Sequence, residues 1–134
     1  MTEAEQIAQL LKAARTIAVV GLSDNQMRVS YDVSEYMQSQ GYRIIPVNPA
    51  IAESLGEKAY ATLSEVPEKV DIVNVFRRPE FVPEVVEEAI RLGVPAIWMQ
   101  EGVVHEEAAA KARAAGIFVV MDRCILKEHR RWVR

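Results

Sequence analysis

Residues 16–23 of this chain read Thr-Ile-Ala-Val-Val-Gly-Leu-Ser, an apolar and largely β-branched run that ends in a glycine and a polar loop. An unbroken apolar run of this length is typical of a central strand in a parallel sheet, where both faces are buried. A strand that passes through a glycine turn into a helix is how α/β sheets build a phosphate site. The stretch therefore predicts an α/β protein with an anion site after its first strand.

Strands and helices alternate along the rest of the chain. Apolar runs predict strands at residues 16–20, 42–47, 70–76, 96–99 and 117–121. Helical spacing predicts helices at 3–14, from an N-cap at Ser30 to about residue 40, from Pro79 to Gly93, at 105–115, and a short basic helix or tail up to Arg134. A loop runs through Gly56. This alternation favours βαβ units with right-handed crossovers, so we predict a single doubly wound α/β domain with a five-stranded parallel sheet.

The composition limits the classes of function. A chain of 134 residues is long enough for one domain with a substantial core. Its formal net charge of −3 offers no positive field that would attract nucleic acid or an anionic membrane. The single cysteine, Cys124, excludes an internal disulfide framework and a cysteine-based zinc site, and no metal site is predicted. No stretch reads as a signal peptide or spans a bilayer, so we expect a cytoplasmic protein.

Residues that follow the predicted strands are the candidates for ligand binding, because the carboxyl ends of parallel strands lie at one edge of a sheet. After the first strand, Gly21 allows the backbone to approach a ligand closely, Ser23 offers a hydroxyl, and Arg28 offers a guanidinium group for phosphate oxygens. The alternative is that Gly21 only makes a tight turn and that Arg28 lies in solvent. The order of strand, turn and helix favours phosphate binding.

The same region argues against two common nucleotide sites. The NAD fingerprint needs three glycines after the first strand and an acidic residue at the end of the second. Here residues 22–26 read Leu-Ser-Asp-Asn-Gln, and the second strand ends in Val47-Asn48-Pro49. A P-loop is also absent, since no Gly-Lys-Ser/Thr triplet occurs in the chain. Hydride transfer and nucleoside triphosphate hydrolysis are therefore disfavoured.

A second candidate cluster, Phe76-Arg77-Arg78, follows the third predicted strand. An aromatic ring and two guanidinium groups at a strand end suit an adenine and a ribose phosphate. The alternative is that Phe76 belongs to the core and that the arginines pair with Glu80 or Glu84. Both interpretations remain open at this point.

Six short motifs, taken together, resemble the stand-alone CoA-binding domain proteins. They are Gly21-Leu22-Ser23, Arg28-x-Ser30-Tyr31, Pro46-Val47-Asn48-Pro49, Val75-Phe76-Arg77-Arg78, Trp98-Met99-Gln100-x-Gly102-Val103 and Met121-Asp122-Arg123-Cys124. That family is similar to the N-terminal CoA-binding domain of the succinyl-CoA synthetase α-subunit, and the resemblance covers about residues 14–129. It implies a Rossmann-like fold that holds coenzyme A at the carboxyl edge of the sheet.

The resemblance also implies roles for individual positions. The matching residues are Gly21, Leu22 and Ser23 in the phosphate loop, Asn48 and Pro49 in the turn that borders the nucleotide, and Val75, Phe76 and Arg77 at the edge near the adenine and pantetheine. The synthetase has a lysine just past the second-strand turn, where this chain continues Ala50-Ile51-Ala52. Arg28 is therefore our candidate for neutralising the charge of the ligand.

No catalytic residues are predicted, because no set of nucleophile, base and orienting group assembles from the sequence. His105 suits a helix cap or an exposed position, His129 suits a solvated helix end, and Cys124 suits a small residue packed beside the last strand. We expect a protein that binds CoA or an acyl-CoA and has no reaction of its own. The alternatives are an NAD(P)- or other nucleotide-binding enzyme and an interaction module without a ligand. A homodimer is also left open, since residues 108–115 either form such an interface or cover the sheet.

Overall fold

Five parallel strands form the central sheet of the computed structural model, which describes residues 1–133. In chain order the strands are β1 (Thr16–Val20), β2 (Arg43–Val47), β3 (Glu53–Ser54), β4 (Glu57–Lys58), β5 (Ile72–Val75), β6 (Ala96–Met99) and β7 (Phe118–Val120), of which β3 and β4 form a separate hairpin. The sheet order β2-β1-β5-β6-β7 is that of a doubly wound fold, and the order of the strands reverses beside β1. The predicted five-stranded parallel sheet is confirmed.

In the part of the chain that the structure describes, five α-helices cover the two faces of the sheet. They are α1 (Glu3–Ala13), α2 (Val29–Ser39), α3 (Val82–Leu92), α4 (Glu106–Ala114) and α5 (Ile125–Trp132). One apolar cluster joins α3 and α4 to the sheet, and a second joins α1, α2 and α5 to its other face. Within residues 1–133, no helix is long and apolar enough to cross a membrane. The prediction for the basic tail extends to Arg134, which lies outside the described residues.

Helix α4 covers the sheet with its alanines. Ala108, Ala109 and Ala112 are all buried in the core between α3, α4 and the strands. The helix begins at a His105 cap, whose Nδ1 accepts a hydrogen bond of 3.0 Å from the backbone N–H of Ala108. Of the two interpretations of this segment, the structure therefore supports the one in which it covers the sheet, and the predicted capping role of His105 is confirmed.

Two helices begin at residues other than those predicted. Helix α2 has Arg28 as its N-cap residue, and Ser30 lies inside its first turn. The Ser30 hydroxyl instead accepts a hydrogen bond of 3.1 Å from the backbone N–H of Ser23, so it holds the loop after β1 rather than capping the helix. Helix α3 begins at Val82, because Pro79–Phe81 form a separate 3-10 turn in front of it.

The connection between β2 and β5 contains a hairpin where the sequence predicts only a loop. Strands β3 and β4 are joined by Leu55 and Gly56, which both have positive φ angles, of 55° and 75°. A two-residue turn of this kind matches the twist of the flanking strands. The buried Ser54 hydroxyl donates to the backbone oxygen of Ser23 at 2.8 Å, which ties the hairpin to the loop after β1.

The chain returns from this hairpin along the outer edge of β2. The backbone N–H of Asn48 donates to the Tyr60 oxygen at 2.8 Å, and the N–H of Tyr60 donates to the Pro46 oxygen at 3.0 Å. These two bonds form an isolated parallel bridge between Val47 and Tyr60. The edge of β2 is therefore paired at its carboxyl end.

His129 is buried, so the prediction of a solvated helix end is wrong. Only 4% of the residue is exposed, and its Nδ1 lies 2.8 Å from the Tyr36 hydroxyl oxygen. The ring also packs edge-on against Tyr36 and Tyr42, and burial raises the pKa of Tyr42. His129 lies one helical turn after the buried Ile125, on the inner face of α5. Cys124 is buried in the same cluster of apolar residues, as predicted.

Candidate functional site

An open groove with a volume of about 800 Å³ lies at the carboxyl ends of β1, β2 and β5. Its residues come from the segments after these three strands, from the 3-10 turn at Leu63–Glu65 with the two residues before it, and from α3 with the residue before it. Small-molecule sites typically have volumes of about 300–1,000 Å³, so the groove is large enough for a substantial ligand. It also lies where doubly wound sheets bind ligands, beside the reversal of strand order.

The groove is open because no α-helix follows β2. Residues 48–71 contain only the hairpin and one 3-10 turn, whereas helices follow the other strands of the sheet. The side of β1 and β2 that faces α3 is therefore incompletely covered, and Val20, Val47 and Val85 line the groove. These valines give the groove an apolar floor beneath its polar rim.

Gly21 brings the ends of three strands together. Its φ angle is +92°, and its backbone N–H donates to the Val47 oxygen at 2.9 Å. A Cβ atom at this position would lie 2.4 Å from the backbone oxygen of Phe76 and 3.1 Å from Cγ of Arg77. Only glycine combines this backbone conformation with so close an approach. Gly21 therefore both makes the turn and forms part of the groove.

Three of the predicted site residues do not line the groove. Leu22 and Val75 are fully buried in the core. The Ser23 hydroxyl accepts a hydrogen bond of 3.0 Å from the backbone N–H of Asn25, within its own loop. These residues hold the shape of the strand ends, and their contact with a ligand stays a prediction.

Arg28 lies on the rim of the groove at the start of α2. The side chain is exposed, and it forms no ion pair within residues 1–133. Among the described residues, no side chain caps the first N–H groups of the helix either. The N-terminus of a helix carries a partial positive charge and donors that suit an anion. The two parts of the predicted phosphate site, the cation and the helix start, are thus adjacent.

Asn48 connects the loops that follow β1 and β2. Its side-chain Nδ2 donates to the backbone oxygen of Leu22 at 3.0 Å, and its Oδ1 accepts from the N–H of Ala50 at 2.9 Å. Pro49 is exposed beside it and lines the groove. Asn48 therefore fixes two walls of the groove relative to each other.

We expect Asn48→Ala to lower the free energy of unfolding by about 1 kcal/mol more than Asn25→Ala does, which is the contribution of one hydrogen bond. Asn25 is a matched control, because its Oδ1 accepts from the N–H of Met27 at the same distance of 2.9 Å and closes a similar turn. Only Asn48 also donates to another loop. Urea denaturation measures both variants, and equal losses would show that the bond to Leu22 adds nothing.

Phe76 and Arg77 make the internal contacts of one interpretation and also line the groove, so their binding of a ligand stays a prediction. Phe76 is half-buried, packs against the core and lines the groove. Arg77 also lines the groove, and its Nη1 lies 3.1 Å from Oε1 of Glu84. The guanidinium carbon of Arg77 lies 4.1 Å from the centroid of the Phe81 ring. Arg78 is exposed, lines the groove and forms no ion pair within residues 1–133.

The sequence predicts Glu84 only as a possible partner of the arginines and does not predict that three acidic side chains of α3 line the groove. The charged residues that line the groove are Arg28, Arg77, Arg78 and Arg91, together with Glu84, Glu87 and Glu88. Glu87 binds Lys111 at 2.9 Å, and this hydrogen bond lowers its pKa, while Glu88 accepts from the N–H and hydroxyl of Ser64. Glu87 and Glu88 follow Glu84 by three and four residues, so these glutamates lie on one face of the helix. This spacing is the sequence signal from which a shared acidic face could have been predicted.

Comparison with known proteins places the chain in a family. A family model described as a CoA binding domain matches residues 15–130. The chain is 48% identical over 124 residues to the protein YneT of Bacillus subtilis, and the match covers 92% of each chain. A solved structure of a hypothetical protein from Pyrococcus horikoshii has a TM-score of 0.96 and 35% identity, and the match covers 99% of this chain and 94% of that one.

A longer relative carries the same region within an enzyme subunit. The chain is 32% identical over 84 residues to the alpha subunit of an ADP-forming acetate–CoA ligase II from Pyrococcus furiosus. That match covers 62% of this chain but only 18% of the ligase subunit. The predicted resemblance and the Rossmann-like fold are confirmed. The chain belongs to the CoA binding domain family.

Proposed function

We propose that this protein binds coenzyme A or an acyl-CoA in the groove at the carboxyl edge of its sheet and catalyses no reaction of its own. The observation that carries the proposal is the groove itself, which lies at the reversal of strand order and is lined by Gly21, Arg28 and Arg77. The family supports CoA as the ligand in general. The matched ligase subunit also has CoA in its name, but this chain spans only 18% of it, so no part of the ligation reaction is carried over.

The arrangement of the groove suggests how such a ligand lies in it. The pyrophosphate is placed at the loop after β1, where Arg28 and the uncapped start of α2 supply positive charge. The adenine is placed between Asn48-Pro49 and Phe76, over the apolar floor. Each charge-assisted hydrogen bond contributes about 1.5–3 kcal/mol, so a few arginines are enough to select a ligand with several phosphates.

The two histidines and the cysteine, residue types that often act as catalytic bases and nucleophiles, lie outside the groove. His105 caps α4, His129 is buried against Tyr36, and Cys124 is buried under α5. None of these three residues lines the groove. These positions, together with the contacts that already hold Glu84, Glu87 and Glu88, support a binding protein rather than an enzyme.

Calorimetric titration with CoA, acetyl-CoA, NAD and AMP tests the proposal. We expect CoA and acetyl-CoA to bind more tightly than NAD and AMP, because only they carry both a pyrophosphate and a separate ribose phosphate. If NAD or AMP bound at least as tightly as CoA, the proposed specificity for CoA would be refuted. Turnover of an acyl-CoA by the purified protein would contradict the absence of catalysis.

We expect Arg28→Met to weaken the binding of CoA by about tenfold or more, since it removes one charge-assisted contact while keeping an unbranched side chain. Arg15→Met is the matched control. Arg15 is also exposed, but it lies directly before β1, at the opposite edge of the sheet from the groove. An equal loss of affinity in both variants would mean that only the overall charge matters.

A further inference from the structure

Arg77 and Glu84 form an ion pair inside the groove. Nη1 of Arg77 lies 3.1 Å from Oε1 of Glu84, and the side chains are 35% and 66% exposed. Ion pairs this exposed contribute about 0–1 kcal/mol to stability, so the fold gains little from having this one. A carboxylate beside a proposed phosphate site also opposes the binding of an anion. Neither the stability of the fold nor the binding of a phosphate alone therefore accounts for this ion pair. We look for its role in the recognition of another group of the ligand.

Arg77 is held in place by more than Glu84. Its Cγ lies next to Gly21, where a Cβ atom would be only 3.1 Å away, and its guanidinium group stacks on Phe81 at 4.1 Å. A guanidinium group carries five N–H donors on three nitrogens, and only Nη1 bonds Glu84 within residues 1–133. The arginine is thus oriented by its neighbours and retains donors for a phosphate.

Glu84 is equally able to bind a second group. Glu84 lines the groove, 66% of its side chain is exposed, and only one of its oxygens is bonded to Arg77 within residues 1–133, which leaves lone pairs on the carboxylate. An ionised carboxylate only accepts hydrogen bonds, so it favours a hydroxyl and repels a phosphate. The neighbouring guanidinium group of Arg77 only donates hydrogen bonds and is positively charged, so it favours a phosphate.

We propose that Arg77 and Glu84 together recognise a ribose that is phosphorylated at its 3′ position. Such a ribose carries a phosphate and a free hydroxyl on adjacent carbons, so the guanidinium group of Arg77 binds the 3′-phosphate and the carboxylate of Glu84 accepts from the 2′-hydroxyl. The inference rests on the proposed function, because coenzyme A carries its ribose phosphate at the 3′ position. A 2′-phosphate, as in NADP, would instead lie against Glu84.

Two ligand pairs test this recognition in the intact protein. The first pair is CoA and 3′-dephospho-CoA, which differ by one phosphate. The second pair is adenosine 3′,5′-bisphosphate and adenosine 2′,5′-bisphosphate, which differ only in where that phosphate is attached. We expect the wild type to prefer the 3′-phosphorylated member of each pair by about tenfold or more, as one charge-assisted contact implies.

The variants separate the two roles. Arg77→Met keeps the unbranched stem and removes the donors, so the preference for CoA over 3′-dephospho-CoA should fall to near unity. Glu84→Gln removes the repulsion, so adenosine 2′,5′-bisphosphate should bind more tightly and the preference between the isomers should be lost. Glu80→Gln is the matched control, because it removes the same charge from an exposed residue just before α3 that does not line the groove. This control should retain both preferences.

The outcomes distinguish this inference from the proposed function. If CoA bound but 3′-dephospho-CoA bound equally well, or if Glu84→Gln kept the preference between the isomers, the recognition by Arg77 and Glu84 would be refuted while CoA binding would stand. If neither CoA nor 3′-dephospho-CoA bound the wild type, the proposed function would itself be refuted, and the inference with it.

Discussion

Replacing Gly21 with alanine is expected to lower the free energy of unfolding by about 2–4 kcal/mol. The new methyl group would lie 2.4 Å from the backbone oxygen of Phe76, which is closer than any relaxed contact allows. That oxygen belongs to the chain directly after β5 and cannot rotate away as a side chain does. The positive φ of +92° adds backbone strain to the collision. We also expect weaker CoA binding, because Phe76 and Arg77 must move.

Gly102→Ala separates the two contributions. Gly102 has a similar φ of +84°, but a Cβ atom there would meet nothing within 4 Å. This variant should therefore lose only the cost of the backbone conformation, about 1–2 kcal/mol. Urea denaturation followed by circular dichroism measures both variants. An equal loss of unfolding free energy at the two glycines would show that the ends of β1 and β5 separate easily. That result would contradict the close packing of Gly21 against Phe76.

Replacing Trp98 with alanine is expected to cost about 3–5 kcal/mol, the range found when large aromatic side chains are removed from a core. Trp98 is completely buried on β6, in the cluster that joins α1, α2 and α5 to the sheet. Its indole Nε1 donates to the backbone oxygen of Arg123 at 2.8 Å. The variant therefore leaves both a large cavity and a carbonyl without its donor.

Two further variants divide this loss. Trp98→Phe keeps an aromatic ring in the core and removes the indole donor, so it should cost about 1–3 kcal/mol. Trp132→Ala should cost only about 1 kcal/mol, because Trp132 is 39% exposed and loses one hydrogen bond, from its Nε1 to Oε1 of Glu128. These are the only two tryptophans in the chain, so far-ultraviolet circular dichroism is a safer probe than fluorescence. A loss in Trp98→Ala no larger than that in Trp132→Ala would contradict the assignment of the core.

The strands were predictable because each is an apolar run bounded by residues that end it. β1 stops at Gly21 and β2 stops at Asn48-Pro49, within a residue of the predicted limits. The position of the groove followed from the same information, since the ends of parallel strands share one edge. Gly21, Asn48 and three of the arginines that line the groove were therefore predictable from the sequence, whereas Arg91 on α3 was not predicted.

Other features depend on contacts between distant segments. Leu55 adopts a positive φ, which its residue type does not favour, so the hairpin at 53–58 left little trace in the sequence. Ser30 resembles an N-cap, but it bonds the loop after β1 instead. His129 looked exposed because its partners, Tyr36 and Tyr42, lie about 90 residues earlier in the chain. The choice between Glu80 and Glu84 as the partner of Arg77 likewise required the fold.

The pairing of Tyr60 with the outer side of β2 affects how molecules of this protein can associate with one another. An unpaired outer strand offers a template on which the backbone of another molecule can continue a sheet, and such contacts lead to aggregates or to extended dimers. At β2 the donors and acceptors near Val47 are already taken by residue 60. Sheet continuation through the carboxyl end of β2 first has to displace Tyr60, and the residues directly after it, Ala61, Thr62 and Leu63, line the groove.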